Sequence, residues 1–353
     1  MKTVGKILLT LILILALAVG GLLGWLTLSE YKPDAVESLV PSTDAKPGTY
    51  QPLRADKSLT VLSWNIGYAG LGRESDFFMD GGEDTRSADE ATVERYLSGI
   101  DKSIKELEPD LVLLQEVDRN SARTFGVNEG VRLRSGNSVF ALNYSCPFVP
   151  IPFPPIGKVS SGLLAYYPYT VERAERISLP CPFTWPMRVA NLKRCLLVNY
   201  LPIQGSEAQL VLVDLHLEAY DDGEGKIAQT RQLTEFLESE YKKGNYVIAG
   251  GDFNQVFPGS LELYPNTHPD NWLPGVLDES ALPAGFRYAY DLTTPTCRLL
   301  NQPYDPSDTV NTQYYVIDGF ILSPNVKLES VESVDLGFEN SDHNPVKISI
   351  SLQ

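Results

Sequence analysis

Histidine is scarce in this chain: 353 residues contain three, His216, His268 and His343. Cysteine is nearly as scarce, with four: Cys146, Cys181, Cys195 and Cys297. No two cysteines are spaced as C-x-x-C, which excludes a zinc ribbon or a thiol redox motif. The four thiols fit two disulfides or four small buried apolar residues. No run of Lys and Arg occurs, and the formal net charge is −16. So acidic a surface repels polyanions at long range, which weighs against a processive nuclease. It leaves open a small phosphate ester held through a metal. No internal repeat is present. With 43% hydrophobic and 21% charged residues, the composition is neither disordered nor fibrous. It holds apolar material for one large domain or two small ones.

One long apolar run is present. Residues 7–28 carry no charge, and about 20 such residues cross a bilayer. Lys2 and Lys6 precede the run and Glu30 follows it. That asymmetry predicts a cytoplasmic N-terminus (1–6), a single span (7–28) and an extracellular body. A cleaved signal peptide has a shorter apolar core, roughly 7–15 residues. Residues 29–58, with Pro33, Pro41, Pro47 and Pro52, read as an extended tether. The folded domain is expected over 59–353.

Short β-branched runs bounded by Gly, Pro, Asn or Asp predict strands at 59–64, 111–114, 163–167, 195–200, 209–215, 246–249, 314–322 and 346–350. Apolar residues at three- and four-residue steps predict helices at 91–108 and 226–243. Strands with a few interspersed helices indicate an α+β fold. The stretch 144–158 is dense in proline, which argues against a central strand there. It reads as a packed loop or one that touches lipid or an apolar substrate.

Polar residues gather where strands end. Asn65 follows Ser63-Trp64. Glu116 follows Leu114-Gln115. His216 closes Asp214-Leu215-His216. Asp252 and Asn254 stand in Gly251-Asp252-Phe253-Asn254, Asp318 follows Ile317, and Asp342-His343 precede the last strand. Each alone reads as a turn cap or a satisfied core residue. Two of the three histidines, however, sit beside carboxylates in these clusters. Asn65, Glu116, Asp252 and Asp342 offer hard oxygen ligands suited to Mg²⁺, or to Mn²⁺ or Ca²⁺, rather than to zinc. A histidine beside a carboxylate suits proton transfer.

In content and order these motifs resemble the endonuclease/exonuclease/phosphatase superfamily over residues 59–353. The resemblance implies a four-layer α/β/β/α sandwich with the site at one end of two facing sheets. It also implies roles. Glu116 is the principal metal ligand, with Asn65 and Asp342 completing the shell. Asp252 and Asn254 orient water and phosphate, Asp252 with a possible second-metal contact. His343 is general base or phosphate contact, held by Asp318, and His216 is a donor near the scissile group. Two departures stand out: Gly319-Phe320 follow Asp318, and residues 119–144 match no member. Arg123, Arg132, Arg134, Arg287 and Arg298 are candidate phosphate contacts, though isolated arginines more often read as surface or ion-pair residues. The expected activity is Mg²⁺-dependent hydrolysis of a lipid or small-molecule phosphoester outside the membrane, by a monomer. The alternatives are an extracellular nuclease and a non-catalytic binding protein on the same fold.

Overall fold

The computed structural model describes residues 2–43, 45, 46, 48–221, 223–308 and 310–353. The predicted apolar run is a single helix, α1 (Lys2–Leu28), and residues 3–21 of it are exposed throughout. Two seven-stranded sheets form the body. We number their strands β1 (Val36–Leu39), β2 (Ser42–Thr43), β3 (Leu59–Asn65), β4 (Leu111–Asp118), β5 (Asn137–Val149), β6 (Gly157–Tyr167) and β7 (Arg173–Ser178). They continue as β8 (Cys195–Pro202), β9 (Gln209–His216), β10 (Tyr246–Asp252), β11 (Arg287–Ala289), β12 (Asp318–Leu322), β13 (Val326–Ser333) and β14 (Val346–Leu352). One sheet runs β13-β14-β3-β4-β6-β5-β2 and the other β1-β7-β8-β9-β10-β12-β11.

The faces between the sheets bury Val61, Leu111, Leu113, Leu212, Ile248, Phe320 and Ile348 in one core. The outer face of the first sheet packs Leu62, Trp64 and Leu114 against Val93, Leu97 and Ile100 of helix α2 (Glu90–Leu107). The outer face of the second packs Val211, Val213 and Val247 against Leu233 and Leu237 of helix α3 (Glu224–Lys242). Strands buried on both faces read as continuous apolar runs, as β4 and β9 do. The expected α/β/β/α sandwich is therefore present. Helix α2 begins where the Asp89 side chain accepts from Thr92 N at 2.7 Å, and it stops before Pro109.

Two parallel pairs set the functional end. β3 runs beside β4, and β9 beside β10, so all four strands finish at the same end of the sandwich. Gly251 lets β9 and β10 approach closely there, because a Cβ would lie 1.9 Å from Leu215 O.

The structure departs from the sequence expectations in three places. Residues 29–58 are no free tether. β1 pairs with β7, β2 pairs with β5, and Leu53 is fully buried in the inter-sheet core. Edge strands offer unpaired backbone groups that take up such a segment, whatever its composition. The proline-dense stretch, expected as a loop, holds strand, though not a central one: β5 runs through Pro147 to Val149 paired only with β6 there, and a register shift between Cys146 and Val149 accommodates the missing N–H. The expected strand over 314–322 is broken before Asp318, where β12 begins. Among the described residues no disulfide forms, and Cys146, Cys195 and Cys297 are buried thiols.

Candidate active site

Asn65 is the last residue of β3 and His216 the last of β9. Asp252 ends β10 and is flanked in register by His216 on one side and Asp318 on the other. Asp342 and His343 arrive just before β14, the neighbour of β3. Trp64 Nε1 donates to His343 O at 2.8 Å, and Ser341 Oγ donates to Asn65 O at 2.8 Å. These bonds tie the loop before β14 to the end of β3. Strand endings far apart in the chain thus deliver their polar residues to one place.

Glu116 arrives by a different device. The β4–β6 register shifts between Leu114 and Val117, and Glu116 sits at φ +57°. A bulge re-aims a side chain that simple alternation would point elsewhere. Behind it, Gln115 Nε2 donates to Asp214 Oδ1 at 2.6 Å and joins the two sheets. Asp118 is gripped by Arg123 through two bonds of 2.9 and 3.0 Å, and the Arg123 guanidinium lies 3.6 Å from the Tyr68 ring. The sequence names Gln115, Asp214 and Arg123 but does not show that Gln115 pairs with Asp214 or Arg123 with Asp118. Both sit next to motif residues, and that adjacency was the available signal.

The centre is a close polar network. Asp318 Oδ2 lies 2.8 Å from His343 Nδ1. Asp252 Oδ2 accepts from Asn65 Nδ2 at 3.0 Å and lies 3.4 Å from His216 Nε2 and 3.8 Å from His343 Nε2. Asn65 Nδ2 also reaches Glu116 Oε1 at 3.2 Å. Asn254 N donates to Asp252 Oδ1 at 2.8 Å, while Asn254 Nδ2 donates to Leu217 O. Asn254 stands at φ +50° and holds Asp252 in place.

One sequence expectation meets a different orientation. Asn65 Oδ1 accepts from Gly67 N at 3.0 Å, so its amide nitrogen, not its oxygen, faces the carboxylates. The left-handed turn at Gly67 (φ +50°) frees that N–H. A Cβ on Gly67 would lie 2.7 Å from Asp342 Oδ1, so glycine is required beside the site.

Burial makes these groups electrostatically expensive. It pushes Asp252 up to about 7, and the Asp318 charge pushes the same way. Burial also pushes Asp342 up to about 7; His343 opposes this and Glu116 adds to it. For His343, burial favours the neutral ring, but Asp318 and the neighbouring Cys297 and Asp342 overcome it and hold the imidazole well above its usual range. His216 goes the other way: burial, with Arg194 and His343 adding to it, holds it well below its usual range. The two histidines are thus pushed in opposite directions, His343 toward the imidazolium and His216 toward the neutral ring.

The acidic and histidine side chains gathered here offer donor atoms for a metal ion. Asp252, Asp318 and His343 each offer a ligand atom within 4.8 Å of one another, as do Cys297, Asp342 and His343. Asp342 is buried beside Glu116, which makes its charged form costly, and Asp318 Oδ1 has no hydrogen-bond partner among the described residues. Crowded carboxylate oxygens of this kind are relieved by a cation. Among the described residues, none of the five candidate arginines hydrogen-bonds to the residues of this centre. Arg123 and Arg298 are buried, Arg298 donating to Gly72 O and Ser75 O, while Arg287 donates to Val326 O. Arg132 pairs with Glu94 and Arg134 donates to Ser42. His268 lies in a loop outside the centre.

Comparison with known proteins agrees with this fold. The model of the Endonuclease/Exonuclease/phosphatase family matches residues 62–343. No curated protein sequence matches the chain. Among solved structures, an endonuclease/exonuclease/phosphatase from Beutenbergia cavernae superposes with TM-score 0.53 at 17% identity, over 84% of this chain and 72% of that one. The human Nocturnin catalytic domain with bound sulfate gives 0.51 at 19% identity, over 89% and 98%. ANGEL2, a 2',3'-cyclic phosphatase in complex with adenosine-2',3'-vanadate, gives 0.53 at 15%, over 89% and 98%. At these identities the likeness speaks to the fold.

Proposed function

The chain belongs to the endonuclease/exonuclease/phosphatase family and is a metal-dependent phosphoric ester hydrolase, and from that premise we infer that it cleaves a lipid or small-molecule phosphoester by in-line attack of water. The observation that carries this reading is the buried meeting of Glu116, Asp252 and Asp342 with the His343–Asp318 pair at one end of the sandwich.

Glu116 and Asp342 would hold the divalent cation, for which Mg²⁺ is our choice over Mn²⁺ or Ca²⁺. When bound, the cation supplies charge neutralisation on a phosphoryl oxygen. Asp252, with its proton affinity raised to about 7, accepts the proton of the attacking water. Asn254 N and Asn65 Nδ2 orient that carboxylate. His343, kept cationic by Asp318, meets the phosphoryl charge as it develops. Of the two roles implied for His343, the crowd of carboxylates around it favours phosphate contact over general base. Neutral His216 donates near the leaving oxygen. Residues 7–28 span the membrane, with the body on its outer face. The acidic body and this anchor favour a headgroup or small phosphoester over nucleic acid.

The test is turnover by the full chain of bis-p-nitrophenyl phosphate, sphingomyelin, phosphatidylinositol phosphates and plasmid DNA, each with Mg²⁺ and with chelator. Hydrolysis abolished by chelator is the expected result; no Mg²⁺-dependent turnover of any of the four refutes the reading.

A further inference from the structure

Helix α1 meets the body only through its last two turns. Leu26 is 2% exposed and packs with Cys146, Val149, Val159 and Val189, while Leu22 and Phe148 border the same cluster. Trp185 Nε1 donates to Thr27 Oγ1 at 3.1 Å. Just past the helix, Glu30 accepts two bonds from Arg188, at 2.8 and 3.2 Å, and lies 3.2 Å from Lys193. Its side chain is 2% exposed. The chain then enters the sheet at once: Ser178 Oγ donates to Asp34 O, and β1 pairs with β7 from Val36 onward. The helix therefore leaves the body at a set angle, without a slack linker.

That exit lies at the catalytic end. β6 is antiparallel to β4, with Asp118 opposite Ser161, so residues 157–160 continue past the end of β4 that carries Glu116. The β5–β6 turn, 150–156, projects farther the same way. β8 starts opposite the end of β9 that carries His216, so the segment 185–190 leading into it lies at this end too. β5 is two strands from β4, roughly 10 Å at the usual ~4.8 Å spacing. At the tip of this hairpin Phe153 is 93% exposed and Ile151 75%, and Trp185 and Met187 are exposed on the segment whose Val189 packs against Val149 of the hairpin. These side chains serve no core.

Their depth follows from the helix. Leu22 lies about 9 Å below Leu28 along the axis at the ~1.5 Å rise per residue. The hairpin and the 185–190 segment pack at the level of Leu22 and Leu26. If Leu22 is inside the bilayer boundary, so are they. Trp25 and Trp185 stand at the level where aromatic belts form.

The geometry points to a bilayer-embedded collar, formed by Ile151, Phe153, Trp185 and Met187 around the end of α1, that turns the catalytic mouth toward the outer leaflet and so selects phosphoesters carried on membrane-lipid headgroups. The inference rests on the hydrolase reading above for its substrate and on α1 alone for its orientation. Apolar side chains at this depth contribute by burying area in the interface.

Two readouts separate these parts. In full-length protein reconstituted in phosphatidylcholine nanodiscs, Phe153→Trp adds an emission component at the tip. That component is expected to be blue-shifted and quenched by lipids brominated in the upper acyl chain. An unquenched component overturns the collar, as does recovery of mature protein lacking residues 1–28. The second readout compares lipid headgroup phosphoesters in the disc with bis-p-nitrophenyl phosphate in solution. The double variant Ile151→Asp, Phe153→Asp is expected to lose about tenfold or more on the lipid and to match wild type on the soluble ester. Equal loss on both, or soluble-ester turnover with no lipid turnover by wild type, overturns the orientation. No turnover of either by wild type overturns the hydrolase reading, while bromine quenching still decides the collar.

Discussion

Replacing Asp318 by Asn removes the charge 2.8 Å from His343 Nδ1 and leaves a side chain of the same size. Deleting one partner of a buried ion pair costs about 3–5 kcal/mol. If that cost falls on the transition state, kcat/KM drops roughly 10²- to 10⁴-fold, at 1.36 kcal/mol per decade. The pH profile makes the prediction more specific. Asp318 raises His343, so without it burial wins and the imidazolium loses its proton at lower pH. Asp318 also raises Asp252, so without it Asp252 ionises at lower pH. Activity needs Asp252 ionised and His343 protonated, so both limbs of the bell move to lower pH. Stability follows the same linkage. The raised His343 contributes stability that is fully present below its unfolded pKa of about 6.5 and is lost as pH rises through its folded value. The variant is therefore destabilised most below about 6.5. The assay is hydrolysis of bis-p-nitrophenyl phosphate across pH, with thermal melts alongside. A profile with unmoved limbs, or kcat/KM within about twofold of wild type, refutes the assignment.

Glu116→Gln keeps the bond to Asn65 but removes a ligand charge; calorimetric titration should show Mg²⁺ affinity reduced about 10- to 100-fold or more, with kcat/KM falling in step. Gly67→Ala should weaken metal binding more than it lowers the melting temperature, because the new Cβ displaces Asp342 Oδ1; an unchanged metal affinity would contradict this. Burial holds Asp214 well above its usual range, so its folded form keeps a proton that the unfolded chain releases above about 3.9, and stability is lost as pH rises from there. Asp214→Asn, which keeps the acceptor for Gln115, should raise the melting temperature at pH 8 and converge with wild type near pH 3.5, as a pair of melting curves will show. Leu113→Ala, in the core between the sheets, should cost about 2–5 kcal/mol in denaturant unfolding without moving the pH profile.

Much of the site could be read from residue types. Asn65, Glu116, His216, Asp252 and Asp318 each interrupt or end an apolar run, Asp342 and His343 stand just before one, and a charge at the end of a buried strand is conspicuous because burial costs it so much. Helix α2 was readable because its apolar residues recur at one helical face. Other features left no local trace. β5 was hidden because proline suppresses the strand signal, and only its partner β6 shows that a bulge absorbs Pro147. β1 and β2 have little apolar pattern of their own; edges of two sheets formed from distant residues recruit them.

The amino-acid sequence determined the chemical groups, their order, the apolar span over residues 7–28 and the alternation of strands and helices, since each depends on neighbours within a few positions. Only the tertiary structure decided that Glu116 turns inward on a bulge and that Asn65 shows its nitrogen to the carboxylates. It alone pushed His343 toward its charged form and His216 toward its neutral form, and it set the end of α1 against the catalytic end of the sandwich. Each of those outcomes depends on strand register, or on a charge or donor brought alongside by packing, often from a distant part of the chain. Such contacts exist only once the two sheets have closed on each other.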